Sequence, residues 1–211
     1  MFIEAVNALV KAEEDWVPSE PETSLYIRPF AFACESSLGV HKSKAYKFVI
    51  ILSPVGAYYA EGLAPVKIMV EDEYVRAVQG GTGFTKCGGN YAGSIIGQVK
   101  AEKYGCSQVL WLDGRERKYV EEVGAMNIMF KIDGEIYTAP IEGTVLPGVT
   151  RDSIIHILKD WGYKVNETHL SVDDLMQAGR DGRLEEVYGT GTAAVISPVG
   201  ALVYKGEEIT I

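Results

Sequence analysis

Between Gly80 and Gly89 five of ten residues are glycine, and a single lysine, Lys86, stands among them. Glycine loses more conformational freedom on ordering than any other residue, so a cluster this dense weakens local structure unless something needs the bare backbone. The usual needs are positive φ angles or close approach to a ligand. Composition alone also fits a mobile surface loop. One amine in the middle of bare main chain points instead to a lysine presented to a bound molecule, with a carbonyl cofactor held as a Schiff base as the leading candidate. Two nucleotide readings fail on residue identity. A P-loop needs glycine before the lysine and Ser/Thr after it, where Thr85 and Cys87 stand. A dinucleotide fingerprint begun at Gly81 would put its third glycine at Lys86.

With 211 residues the chain can hold one large domain or two small ones, and 47% hydrophobic with 23% charged residues matches an ordinary globular protein. The formal net charge of -9 argues against a nucleic-acid partner while leaving room for a local basic pocket. Cys34, Cys87 and Cys106 are odd in number and lack C-x-x-C spacing, which reads as reduced thiols in a cytoplasmic protein. His41, His156 and His169 lie far apart, so no histidine metal site is expected. The start, Met1-Phe2-Ile3-Glu4, lacks a signal peptide's basic region, and no stretch approaches the ~20 apolar residues of a membrane span.

Helical spacing of Phe2, Ala5, Val6 and Leu9 predicts a helix from Phe2 to Trp16, ended by the Pro18–Pro21 region. Ser24–Phe32 reads as extended, Ala45–Val55 as a buried strand stopped by Ser53-Pro54, and Val66–Val70 as another strand. After the lysine loop, Ile95, Ile96, Val99 and Tyr104 fit one face of a helix stopped at Gly105. Gln108–Leu112 is a short strand, and Asp133-Gly134 is the strongest hairpin signal, between Met126–Ile132 and Glu135–Ala139. Thr150 is expected to cap a helix with an apolar face of Ile154, Ile155, Leu158 and Trp161, closed by Gly162. Ser171 opens another helix, and Glu185–Tyr188, Ala194–Ile196 and Ala201–Tyr204 are strand-like. Strands and helices without strict alternation predict an α+β fold or an irregular α/β barrel.

A pyridoxal phosphate enzyme needs a lysine, an acid at the pyridine nitrogen, donors for the phosphate and a partner for the ring hydroxyl. Candidates for all four follow residue 80. Glu121 and Glu122 precede an apolar strand, Pro147-Gly148-Val149-Thr150 leads into a helix with free first amides, and Gly189-Thr190-Gly191-Thr192-Ala193 is a small-residue turn with hydroxyls. Together with Gly88-Gly89-Asn90-Tyr91, Glu122-Val123-Gly124-Ala125-Met126-Asn127 and Leu146-Pro147-Gly148-Val149-Thr150-Arg151, they resemble the branched-chain amino-acid aminotransferases, of the fold-type IV group of pyridoxal phosphate enzymes. Leu25-Tyr26-Ile27-Arg28-Pro29, Ser37-Leu38-Gly39-Val40 and Ser53-Pro54-Val55-Gly56-Ala57-Tyr58 extend the resemblance through nearly the whole chain.

The resemblance implies an internal aldimine at Lys86, Tyr91 on the cofactor's phenolic oxygen and Glu122 on its pyridine nitrogen. It places the phosphate on Val149, Thr150 and Thr192. Tyr26, Arg28, Val40, Ala125, Thr192 and Ala193 become substrate-binding residues, with Arg28 equally suited to an interface role. It implies transfer of the amino group of leucine, isoleucine or valine to 2-oxoglutarate by a ping-pong route, in a cytoplasmic homodimer. Its domains would be residues 1–59 as the end of a small domain, 60–65 as a linker and 66–211 as the large cofactor-binding domain. Two departures stand out. Ala194 and Ser197 occupy the places of a redox Cys-x-x-Cys found in mammalian members. Family members also have a longer N-terminal small domain, so a truncated chain, with strands lacking sheet partners and no activity, is an alternative expectation. D-amino-acid aminotransferase and aminodeoxychorismate lyase share the fold and are further alternatives. A nucleotide-binding oxidoreductase is a remote one, because Gly189–Ala194 fits G-x-G-x-x-A but Pro198 and Gly200 interrupt the helix it needs.

Overall fold

The computed structural model describes residues 1–56, 64–192 and 195–211. The chain divides into two compact units, Met1–Gly62 and Leu63–Ile211. Most of the expected linker, 60–65, falls on residues 57–63, which lie outside the described residues, as do Ala57 and Tyr58 of the motif that starts at Ser53.

In the first unit α1 (Phe2–Ala12) gives way to a 3-10 turn at Glu14–Trp16, where one continuous helix was expected. Strands β1 (Ser24–Ala33) and β2 (Tyr46–Val55) pair antiparallel, from Ser24↔Val55 to Ala33↔Tyr46. The strands therefore serve as each other's partners, a correction to the expectation that they would have none. β2 ends at Val55 as expected, but none of its residues is buried, a correction to the buried strand predicted there. A sheet of two strands gives each only one neighbour, so a proline's missing N–H can face the open edge and an apolar sequence stays uncovered.

The second unit holds all the buried apolar residues among those described, beginning at Val66. Its elements are β3 (Val66–Glu71), α2 (Gly88–Lys103), β4 (Gln108–Leu112), β5 (Val120–Val123), β6 (Met126–Ile132), β7 (Glu135–Thr138), α3 (Val149–Asp160), β8 (Val165–Glu167), α4 (Val172–Arg180), β9 (Leu184–Gly191), β10 (Val195–Tyr204) and β11 (Glu207–Thr210). Strands β10, β3, β4, β5, β6 and β9 pair in that order, and β9 returns to β10, closing a six-stranded ring. β3 lies parallel to both β10 and β4, and the other four pairings of the ring are antiparallel. Closure leaves none of the six with a free edge. β7 and β8 extend from β6, and β11 extends from β10. This is the α+β, irregular barrel architecture that the sequence predicts.

Alternation along the strands assigns the two faces of the ring. Met69, Val109 and Trp111 pack against Ala101 of α2, and Met129 with Ile136 packs against Ile155 and Leu158 of α3. The intervening Ile68, Leu110, Leu112, Ile128 and Phe130, all buried, point the other way, into the ring. Asp133 (φ 51°) and Gly134 (φ 75°) form the type I′ turn that their dipeptide predicts.

Helix α2 is present as expected; its apolar face of Ile95, Ile96, Val99 and Tyr104 is exposed, and it buries Asn90, Gly97 and Ala101. The helix approaches so closely that a Cβ on Gly97 would lie 2.5 Å from the Trp111 ring, so only small residues fit on that side. Helix α3 starts at Val149 with Gly148 as N-cap, so Thr150 sits inside its first turn, and Trp161 is exposed while Ile155 and Leu158 are buried. Residues 195–204 form one strand, β10, rather than two, and β11 was not foreseen. Ser171 does cap α4, its Oγ accepting from the Asp174 amide at 3.0 Å. Among the described residues no helix is long and apolar enough to cross a membrane.

Candidate active site

The lysine loop is folded on itself by backbone bonds from Thr85 N to Thr82 O (2.9 Å) and from Cys87 N to Thr85 O (2.9 Å). Its glycines are used: Gly80 has φ +81°, and a Cβ on Gly83 would overlap the Thr144 carbonyl and the Ala77 methyl. Asn90, buried in the first turn of α2, donates from Nδ2 to Thr82 O (2.7 Å) and Thr85 O (2.8 Å) and accepts from Thr82 Oγ1 (2.7 Å). Lys86 itself is exposed, with Nζ 5.6 Å from the ring centroid of half-buried Tyr91, one helical residue beyond Asn90. Cys87, like Cys34 and Cys106, is a free thiol.

Strand alternation separates the two glutamates of β5. Glu121 lines a polar cleft of about 170 Å³ with Asp113, Thr144 and His169. Glu122 turns to the other face and is 2% exposed. Its Oε1 accepts from Asn127 Nδ2 (3.1 Å) and from the Leu146 amide (3.1 Å). Its Oε2 lies 2.5 Å from Arg76 Nη1, yet no donor is aligned on it for a hydrogen bond. Burial pushes this carboxyl up to about 7, while the charge of Arg76, the Leu146 amide and the charge of Lys86 pull it down. The influence of Lys86 places its amine within electrostatic reach of this acid.

Register continues the site across the sheet. Glu122 pairs with Asn127, and Asn127 with Thr190, so these side chains share one face. Thr190 Oγ1 is also buried without a partner. The same face meets the start of α3, where a Cβ on Gly148 would overlap Asn127 Oδ1. No side chain caps this helix, so the first amides, those of Val149 and Thr150, are free to bind an anion. Buried Arg151 fixes the helix start by donating to Ala139 O (2.8 Å) and Glu167 Oε2 (2.9 Å). Thr192 is exposed just beyond β9, and Ala125 is exposed in the β5–β6 turn, beside Gly124 at φ +55°. Ala193 lies outside the described residues.

The second unit thus brings Lys86 beside Tyr91 and within reach of Glu122, and Glu122 beside the loop leading to Val149 and Thr150. The remaining sequence candidates belong to the first unit. There Arg28 donates to Tyr26 Oη (2.7 Å) with its guanidinium 4.9 Å from that ring's centroid, and Val40 is fully exposed between the strands. Arg76 and Asn90 were missed as functional side chains. The signal for Asn90 was an amide side chain just after two glycines at a helix start; Arg76, between Val75 and Ala77, carried none. The oxidoreductase alternative is overturned, because Gly189–Gly191 ends a strand and is followed by the antiparallel strand β10, with Val195 opposite Gly191, where the fingerprint requires a helix.

An amine, a buried carboxylate and free helix amides form a set suited to a planar molecule with a carbonyl, a basic ring nitrogen and a phosphate. Comparison with known proteins follows the same line. The protein-family model for amino-transferase class IV matches residues 3–202. Branched-chain-amino-acid aminotransferase 2 of Bacillus subtilis (strain 168) is 57% identical over 209 residues, covering 99% of this chain and 58% of that protein. Among solved structures, the branched-chain aminotransferase of Thermoproteus uzoniensis with norvaline aligns at a TM-score of 0.79 and 26% identity, over 99% of this chain and 65% of that one. A T.th. branched-chain amino acid aminotransferase with pyridoxamine 5'-phosphate aligns at 0.79 and 31% identity, over 98% and 63%. The chain therefore spans less than two thirds of the length of these relatives.

Proposed function

The chain belongs to the class IV amino-transferase family, and on that premise we propose that it takes part in transamination of leucine, isoleucine or valine with 2-oxoglutarate, using pyridoxal 5'-phosphate bound at Lys86. One observation carries the reading: the buried Glu122 carboxylate, ion-paired with Arg76, lies on the face that meets the uncapped start of α3, whose first amides are free. A buried acid on that face is placed to pair with a basic ring nitrogen while the helix amides take a phosphate. The T.th. relative was solved with pyridoxamine 5'-phosphate, which supports the same group here. When bound, this cofactor supplies an aldehyde for an amine and a ring that draws electrons from the bond being broken.

The roles of the chain's own residues follow. Lys86 offers the amine and, when free, the base that moves a proton at the substrate's Cα. Glu122, ion-paired with Arg76, is proposed to keep a proton on the ring nitrogen. Tyr91 donates to the ring hydroxyl. Val149 and Thr150 amides with Thr192 bind the phosphate at the positive end of α3. Tyr26, Arg28, Val40, Ala125 and Ala193 are proposed to bind substrate, with residues 1–59 as the small-domain part and 66–211 as the cofactor domain. A cytoplasmic homodimer is proposed too, consistent with the exposed apolar side chains Ile95, Ile96 and Val99 of α2.

The test is to mix the purified chain with pyridoxal 5'-phosphate, reduce with borohydride and map the pyridoxyl adduct. The expected result is modification of Lys86, and its loss in Lys86→Ala. Label scattered over many lysines in the native chain would overturn the assignment. Leucine-dependent conversion of 2-oxoglutarate to glutamate then tests turnover. The exposure of Lys86 favours a second reading, cofactor binding without turnover, which that assay separates from the first.

A further inference from the structure

We infer that Asn90 is the positioning residue that sets where the Lys86 amine stands, an inference resting on the assignment of Lys86 made above. Among the described residues the Lys86 ammonium forms no ion pair, and its side chain is exposed. At its tip it meets the face of Tyr91, with Nζ 5.6 Å from the ring centroid, and among the described residues the rest of its placement comes from the main chain. That main chain is rich in glycine and has no helix or strand between β3 and α2.

The side chain of Asn90 supplies the missing rigidity. Its one amide group spends both protons on the loop, on the carbonyls of Thr82 (2.7 Å) and Thr85 (2.8 Å), and its oxygen takes the Thr82 hydroxyl (2.7 Å). Thr85 is the residue before Lys86. On the other side, the Asn90 amide N–H donates to the carbonyl of Cys87, the residue after Lys86, at 3.2 Å. One buried residue therefore grips the backbone on both flanks of the lysine. No other residue type fills the part: aspartate has no donor, serine has one, and glutamine is a methylene longer. The two accepting carbonyls also fix the amide's orientation, so the oxygen must face Thr82.

Asn90 is in turn anchored to the barrel. Helix α2 lies on Trp111 through Gly97 and Ala101, and Lys100 Nζ is 2.8 Å from the fully buried Glu71 at the end of β3. The chain of support runs from the barrel through α2 and Asn90 into the loop, and ends at Lys86.

The experiment uses the full chain, native and with Asn90→Ala, Asn90→Asp, Thr82→Val and Thr82→Ser. Two readouts are taken at temperatures where each variant is folded. The first, free of cofactor, is backbone amide exchange. Asn90→Ala and Asn90→Asp are expected to speed exchange across residues 82–87 on the order of tenfold or more, leaving β3, β4 and β6 unchanged. The second is the share of borohydride-reduced pyridoxyl label found on Lys86 relative to other lysines. That share should fall at least several-fold in both Asn90 variants and partly in Thr82→Val, which removes only one bond, and should stay native in Thr82→Ser. A role confined to stabilising the helix start predicts a lower melting temperature with native loop exchange and native Lys86 selectivity in the folded protein; that outcome overturns the proposal. If Asn90→Ala does not fold, Thr82→Val carries the same decision. Native chain that fails to label Lys86 while the exchange result holds would remove the cofactor assignment and, with it, the functional half of this proposal; the cofactor-free result tells the two failures apart.

Discussion

Glu122 is the residue whose chemistry depends most on its surroundings. Burial holds its folded-state value at about 7, above the ordinary 4.5 of an unfolded glutamate. A raised acid favours the folded state while protonated. Its contribution is complete below about pH 4.5 and is lost as pH rises toward about 7, by at most about 3 kcal/mol. Glu122→Gln cannot ionise, so the stability of the native chain relative to this variant should fall across that window in urea titrations without cofactor. The opposite slope would mean that the ion pair with Arg76 outweighs burial. Motif resemblance supplies the roles proposed for Lys86, Tyr91 and Glu122, since composition leaves the loop ambiguous and does not choose between Glu121 and Glu122. Strand alternation makes that choice in the fold. Arg76 was not legible, because its meaning is a partner brought to 2.5 Å by the barrel and absent from its own neighbourhood in sequence.

The elements show where local signals suffice. The hairpin at Asp133-Gly134 was readable because two positive φ angles are a property of the turn dipeptide alone. The buried side of α2 is not legible in hydrophobic spacing, which ranks isoleucine above glycine, while close packing on Trp111 requires the smaller residue. The start of α3 was misplaced for a related reason: a glycine cap carries no side-chain signal, and Gly148 is there because Asn127 leaves no space for a Cβ. With φ −70° its backbone suits any residue, so the effect of Gly148→Ala is steric alone. The expected cost is about 1–3 kcal/mol of stability from forcing Asn127 or the helix start to move. Because Asn127 also donates to Glu122 and to the Leu146 carbonyl at 2.9 Å, the shift should weaken pyridoxal phosphate binding more than the lowered melting temperature alone explains. Inorganic phosphate competition against the same variant isolates the helix end: unchanged affinity for both ligands would mean that α3 does not hold the anion.

At the scale of the whole molecule, the sequence predicts an irregular barrel but not its strand order, because β10–β3 and β6–β9 join segments remote in sequence and each strand alone reads as an ordinary apolar run. Closure concentrates the cooperative core in Leu63–Ile211, whereas α1, β1 and β2 contain no buried residue. Isolated two-stranded sheets are marginal in water, and opening free energies follow burial. Amide exchange on the full chain should therefore show β1 and β2 exchanging orders of magnitude faster than β3, β4 and β6, in one early phase well separated from the barrel. Exposed Phe30, Phe32, Phe48 and Ile51 on that hairpin make its protection depend on what covers it. If the chain assembles as the proposed homodimer through this surface, protection of the hairpin rises with protein concentration, and sedimentation shows the dimer over the same range. Barrel-like protection at concentrations where the chain sediments as a monomer would contradict the division of stability drawn from burial.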